Sequence, residues 1–286
     1  ASEGGGEVFG QHVLAGGLAA RQQQVFAAEQ GGQRLLDWPT SQMPDVIHAG
    51  YQALMVMAME AGAEIGGWLG DRQMQSECHG ALRRLRRHVP DHLRNKQAAA
   101  MLVLAGLAGP GKVCRTVIAR GGAEGFSTFY GYYMVGALAE GGLYDEALQI
   151  ISDYWGAMLD LGATTFWEDL NYAHAAGAAR IDEPVPAGKF DIHAESGAYC
   201  YKGLRHSLCH GWASGPTPWL SRHVLGIVPL EPGCKSVAVR PHLGHLKWAE
   251  GTFPTPWGVI RVRHERGADG KVSTSVSAPD GVRVVR

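Results

Sequence analysis

The sequence has almost no net charge: 26 Lys+Arg stand against 27 Asp+Glu, a formal −1. No field exists to draw in a nucleic-acid backbone or an anionic membrane. Long apolar runs are missing, and none approaches the roughly 18–20 residues that a membrane helix needs. Cysteine is scarce and odd in number: Cys78, Cys114, Cys200, Cys209 and Cys234 are scattered without paired spacing. That is no disulfide framework, and reduced thiols are the simpler reading. Phosphate-binding loops are absent too, since neither G-x-x-x-x-G-K-[ST] nor a strand-framed G-x-G-x-x-G occurs. Residues 1–10 are acidic and Gly-rich rather than basic then apolar, so no signal peptide is visible and a cytoplasmic protein is expected. The chain starts at Ala1 rather than Met, which reads as processing or as a piece of something longer, so a leader on an earlier part stays open.

Glycine is what the sequence has in excess: 40 of 286 residues, about double the usual usage. It follows no every-third-residue period, so collagen is excluded. With 45% hydrophobic and 19% charged residues, a disordered chain is excluded as well.

Up to about residue 228 the apolar period is helical. Residues 8–28 are Ala/Gln-rich and mildly amphipathic. In 45–69, Ile47, Tyr51, Leu54, Ala58, Gly62 and Ile65 recur three or four apart. Further helices are expected over 71–89 (stopped by Pro90), 93–107, 112–120, 127–139 and 144–161. The last begins at Thr217-Pro218 and ends at Gly226. The Arg83–Arg87 cluster reads as a solvated helix face. Short helices joined by Gly-rich turns suit hairpins packed side by side, the unit of an α/α toroid. About eight segments are legible, fewer than a ring of six hairpins requires. From 229 to 286 the period is two, with strands expected at 236–240, 259–263, 271–277 and 282–285. The fold class is therefore mainly α: a partial (α/α)6 toroid over 1–228, then a small antiparallel β-sandwich domain over 229–286.

Between residues 162 and 215 the pattern dissolves, and polar and aromatic residues collect there. So long a structureless stretch in a compact domain is usually functional. Its strongest signal is Gly162-Ala163-Thr164-Thr165-Phe166-Trp167-Glu168-Asp169. A carboxylate beside a Trp suits a carbohydrate site: the ring covers a sugar's apolar face and the carboxylate serves as acid or base. The plainer alternative is a Glu that caps a helix or pairs with Arg180. Next comes Arg205–Thr217, with His206 and His210 four apart around Cys209. A zinc site is one reading, although no H-E-x-x-H or C-x-x-C accompanies it. The other is a His210 that orients a group by hydrogen bonds. Ser207 lacks the G-x-S-x-G elbow of a nucleophile. Asp37-Trp38, before Pro39, reads as a site loop or as a packed loop Trp, and Asp182-Glu183 as an acid pair or a loop cap.

Together these motifs resemble the bacterial α-L-rhamnosidases of glycoside hydrolase family 78. The matching pieces are residues 162–169, Arg-His-Ser-Leu-Cys-His-Gly-Trp (205–212), Ser-Gly-Pro-Thr (214–217), Leu-Gly-Ile (225–227), Lys-Trp-Ala-Glu-Gly-Thr-Phe-Pro-Thr-Pro-Trp-Gly-Val-Ile (247–260) and Leu-Leu-Asp-Trp-Pro-Thr (35–40). The resemblance implies an (α/α)6 barrel followed by a β-sandwich, and inverting hydrolysis of terminal α-L-rhamnosides. It makes Glu168 the general base, His210 a sugar-contacting residue and Trp38 a wall of the sugar subsite, with Trp167 and Asp37 as adjacent candidates. A rhamnose-containing glycoside is the implied partner, with no nucleic acid and no membrane. No metal or organic cofactor is implied. The family's general acid lies in an Asp/Arg/Glu-rich segment upstream of the Asp-Trp loop. Residues 1–34 show no such segment, Glu3 and Glu7 having no matching context, so the first barrel helices are expected to be missing. Missing helices would leave apolar faces uncovered and favour association. A non-catalytic sugar-binding remnant and another toroid glycosidase are the competing readings.

Overall fold

The computed structural model describes residues 35–195 and 205–286. The helix expected over 8–28 lies outside the described residues.

The first long helix, α1 (Pro44–Leu69), opens on Pro44 with Asp45 in its first turn and stops at Gly70, whose φ of 70° is left-handed. Proline at the start and a left-handed glycine past the end are the expected punctuation. Asp71 caps α2 (Arg72–Leu85) by accepting the Met74 N–H at 2.9 Å. The two helices form a tight hairpin because α1 presents glycines to α2. A Cβ on Gly62 would stand 2.8 Å from Cys78 Sγ, and one on Gly66 would stand 3.1 Å from the Gln75 amide. The hairpin ends early. Gln52 Nε2 donates to Leu85 O at 2.6 Å and to His88 O at 3.1 Å. That amide supplies the last carbonyls with a partner, and α2 ends at Leu85 rather than running to Pro90.

α3 (Lys96–Leu104) starts later than its apolar pattern does. Leu93 and Arg94 have φ of 51° and 56°, outside the helical region. The helix therefore begins after Asn95, whose side chain accepts the Ala98 N–H at 3.0 Å. α4 (Pro110–Val113) runs into a π-helical turn over Cys114–Ile118. α5 (Gly131–Glu140) and α6 (Tyr144–Asp160) follow. Gly131 lets them close up, because a Cβ there would meet Trp155 Cη2 at 2.6 Å. Single helical turns at Tyr172–Ala175 (α7) and Ile192–Glu195 (α8) interrupt the long loop. α9 (Pro216–Trp219) continues as a π turn over Leu220–Val224.

α1, α3, α5 and α9 are neighbours in that order, while α2 packs on α1 and α6 on α5. α3, flanked on both sides, buries every residue from Gln97 to Val103. Among the described residues no helix is long and apolar enough to cross a membrane.

Six strands follow: β1 (Ile227–Pro229), β2 (Ser236–Val239), β3 (Trp248–Thr255), β4 (Gly258–Arg266), β5 (Val272–Ser277) and β6 (Arg283–Val285). They form two three-stranded sheets, β1-β2-β6 and β3-β4-β5. The second is antiparallel throughout. The first is mixed: β2 pairs antiparallel with β1 but parallel with β6, correcting the all-antiparallel expectation. Two strands escape the period-two pattern. β1 has only three residues, and β3 contains Gly251 and Pro254. Proline is tolerated in β3 because it is the sheet's edge strand. Ile227, Val237, Val239, Ile260 and Val262 form a core separate from that of the helices.

Candidate functional site

Two segments far apart in sequence run side by side. Glu168 N–H donates to Ser207 O and His210 N–H to Phe166 O, both at 2.8 Å. Thr165 Oγ1 donates to Leu208 O beside them. The Glu168 side chain folds back on the same partner, its Oε2 accepting Ser207 N–H at 2.8 Å. Hydrogen bonds to an ionised acceptor are among the stronger ones. The other oxygen, Oε1, faces His210 Nδ1 at 3.9 Å. That is too long for a hydrogen bond, yet both atoms can reach one oxygen between them. The side chains are 15% and 31% exposed, so the pair is largely desolvated but reachable.

The backbone behind Glu168 is also held. Its carbonyl accepts Thr128 Oγ1 at 2.5 Å and Trp212 Nε1 at 2.7 Å. Trp212 in turn stacks on Phe129, centroids 5.4 Å apart and planes 11° from parallel, and tilts against His210 at 4.2 Å. Next to His210 opens a groove of about 700 Å³, lined mainly by apolar groups that include Trp155, Leu159, Phe166 and the Thr164-Thr165 pair.

The turn that holds Glu168 also reaches the Asp-Trp loop. Ser127 Oγ donates to Asp37 Oδ2 at 2.9 Å, and Gln97 Nε2 donates to the same oxygen at 2.7 Å. Asp37 Oδ1 accepts Trp38 N–H at 2.9 Å. Asp37 is buried with both oxygens engaged, so it anchors the loop and presents no carboxylate to a sugar. Burial pushes its carboxyl above the usual range. Trp38, at the start of a short 3-10 turn over Trp38–Thr40, is only half-buried.

Trp167 also departs from its expected place. Its ring is 0% exposed and meets His193 edge-on at 4.5 Å, so no face is offered to a ligand. With Glu168 turned toward His210, Trp167 is turned into the core. His193 Nδ1 lies 2.8 Å from His206 Nδ1, and His206 Nε2 accepts the Asp169 N–H at 3.0 Å. The pattern of His206, Cys209 and His210 does not assemble a metal centre: among the described residues no three His, Cys, Asp or Glu side chains converge suitably. Asp182 and Glu183 pair with Arg180 instead.

Asp169, like Asp37, has a raised carboxyl. Burial, with Asp37 and Glu168 adding like charge, pushes it up to about 6, against the pull of a backbone hydrogen bond from Leu170. The ionised form is thus disfavoured in the fold. Above pH 6 the buried charge destabilises; below its ordinary value of 3.8 the group is neutral folded or unfolded and has no effect. Asp169→Asn is expected to raise the unfolding temperature at pH 8, with the gain fading as pH falls from 6 to about 4. Thermal scans of both proteins across that range check this, and a pH-independent difference would contradict it.

Thr128, Ser207, Trp212 and His206 hold Glu168, whereas the sequence offers His206 only as half of a zinc pair and Ser207 only as a poor nucleophile. Each acts through a contact across roughly forty positions, which no local pattern encodes.

Residues 226–285 match the family model for the bacterial alpha-L-rhamnosidase C-terminal domain. The chain contains a rhamnosidase C-terminal region. Its fold is similar to three solved structures. One is the GH78 family rhamnosidase of Bacillus sp. GL1, 22% identical with a TM-score of 0.62, over 80% of this chain and 25% of that one. The α-L-rhamnosidase of Aspergillus terreus is 16% identical with a TM-score of 0.64, over 81% and 27%. The Streptomyces avermitilis α-L-rhamnosidase, solved with L-rhamnose, is 18% identical with a TM-score of 0.63, over 88% and 24%. The chain spans about a quarter of the length of the structures it matches. No curated protein matches it.

Proposed function

We propose that this chain carries the water-activating half of an inverting α-L-rhamnosidase. Glu168 is the general base, His210 orients the attacking water or a sugar hydroxyl, and Trp38 lines the sugar subsite. We assign the helical part, within 1–228, to an arc of an (α/α)6 toroid, which the succession of α1, α3, α5 and α9 as neighbours supports, followed by a β-sandwich over 229–286. The observation that carries this reading is the Glu168 carboxylate. Its Oε2 is tied to an amide while Oε1 stays open beside His210 at 3.9 Å.

In the reaction, Glu168 Oε1 takes a proton from water as the water oxygen bonds to the anomeric carbon. The glycosidic C–O bond breaks, and the leaving oxygen takes a proton from a second carboxyl group. Inversion places the two carboxyls about 6.5–9.5 Å apart on opposite faces of the sugar. Neither Asp37, with both oxygens bonded, nor Asp169, beside the base, has that placement.

The test is the anomer formed first. Proton NMR of an aryl α-L-rhamnoside incubated with the polypeptide that carries this chain, at its full encoded length, should show β-L-rhamnose before mutarotation. α-L-Rhamnose as the first product would overturn the inverting mechanism.

A further inference from the structure

Two histidines behind the base are locked by geometry. His206 Nε2 accepts the Asp169 N–H, so that nitrogen carries a lone pair and no proton. Its proton, in the neutral ring, must sit on Nδ1. That N–H points at His193 Nδ1, 2.8 Å away, which must therefore be the acceptor. The His193 proton then falls on Nε2. Each ring has one permitted tautomer, and neither can take up a second proton without setting two N–H groups against each other.

The next residue along, Ser207, completes a grip. Its amide holds Glu168 Oε2 and its carbonyl accepts the Glu168 N–H. His206 thus fixes the amide on one side of the base while Ser207 fixes the base itself.

We propose that His206 is a positioning residue for Glu168: a neutral imidazole, set in one tautomer by His193, whose Nε2 lone pair holds the Glu168–Asp169 peptide so that Glu168 Oε1 faces His210. This rests on the reading of Glu168 as the base. Among the described residues, the titratable groups that act on the pair are Glu168 and His210 on the His206 side and Asp191 on the His193 side, with Trp167 edge-on. Burial first, then the neighbouring His193, holds His206 down to about 4, with Glu168 working in the opposite direction. Burial lowers His193 too, so both rings are held in the neutral form, and the grip is lost when a proton arrives on either one.

Long-range nitrogen–proton NMR on the unmodified protein is the first test. It should show His206 as the Nδ1–H tautomer and His193 as the Nε2–H tautomer at neutral pH. An Nε2–H tautomer at His206, or a charged ring, would overturn the proposal. The second test uses His206→Phe, which removes the acceptor, and His206→Gln, which offers a carbonyl oxygen near the same place. His206→Phe should lower kcat for an aryl α-L-rhamnoside by roughly tenfold or more, as loss of about one hydrogen bond to the site implies, with little change in KM. His206→Gln should recover most of that loss and move the acid limb of the kcat profile. Equal kcat in the two variants would overturn the proposal. Unchanged turnover in Glu168→Gln would instead sink the assignment of the base, leaving the tautomer result standing.

Discussion

Replacing Glu168 by glutamine is expected to lower kcat for α-L-rhamnoside hydrolysis by about 10²–10⁴-fold, the usual contribution of a positioned acid or base. The substitution is nearly isosteric, and a glutamine carbonyl can still accept the Ser207 amide that now binds Oε2 at 2.8 Å. The two hydrogen bonds to the Glu168 carbonyl involve the backbone and are untouched. What disappears is the basicity of Oε1. KM should therefore change little, because a group acting only in the transition state affects kcat. Initial rates with wild-type and variant polypeptides, beside matching circular dichroism spectra, make the comparison. A loss smaller than about tenfold would place the base elsewhere.

Gly226→Ala is expected to destabilise the fold by more than about 4 kcal/mol, the range reserved for severe backbone or packing faults. Gly226 links the last helical turn to β1 with φ of 70°. A left-handed non-glycine residue alone costs roughly 1–2 kcal/mol. Here a Cβ would also stand 2.2 Å from both the carbon and the oxygen of the Arg240 carbonyl and 2.6 Å from Pro241 N. Those atoms are backbone, so they cannot rotate aside. Moving them breaks the bond from Arg240 N–H to Gly226 O, 2.9 Å, which extends the β1–β2 ladder beyond the Ile227–Val239 pair. Gly142→Ala is the control: its φ is 71°, and nothing lies within 4 Å of the added Cβ. It should cost only the conformational part, about 1–2 kcal/mol. Equal destabilisation of the two variants in urea would refute the steric explanation.

The sequence reading worked where one segment dictates its own structure. α1 and α6 lie within a residue of the expected bounds, although α1 buries Val46, Ala49, Ala53, Val56, Met59 and Ala63, beside the expected stripe, of which only Ile47 is fully buried and Ile65 is exposed. β4 and β5 alternate cleanly and were legible for the same reason. Starts and stops were harder when a distant group decided them. Gln52 ends α2, and the left-handed pair Leu93 and Arg94 delays α3. The parallel pairing of β2 with β6 depends on where two segments some forty residues apart come to lie, which no local period encodes. Within the site, the motif around Glu168 and His210 led to two groups that the fold does bring together. The same motif misjudged Trp167, because adjacency to a carboxylate says nothing about whether a ring is packed into the core. Asp37 looked like a ligand contact and is a loop anchor, since its partners Gln97 and Ser127 are 60 and 90 positions away.

Chemical rescue tests the central claim, that Glu168 activates water, most directly. Glu168→Ala removes the carboxylate, and azide is a nucleophile that needs no base. Adding sodium azide to the variant with an aryl α-L-rhamnoside should restore turnover and yield β-L-rhamnosyl azide. An α-configured azide, or turnover that azide leaves unchanged, would contradict Glu168 as the base of an inverting hydrolase.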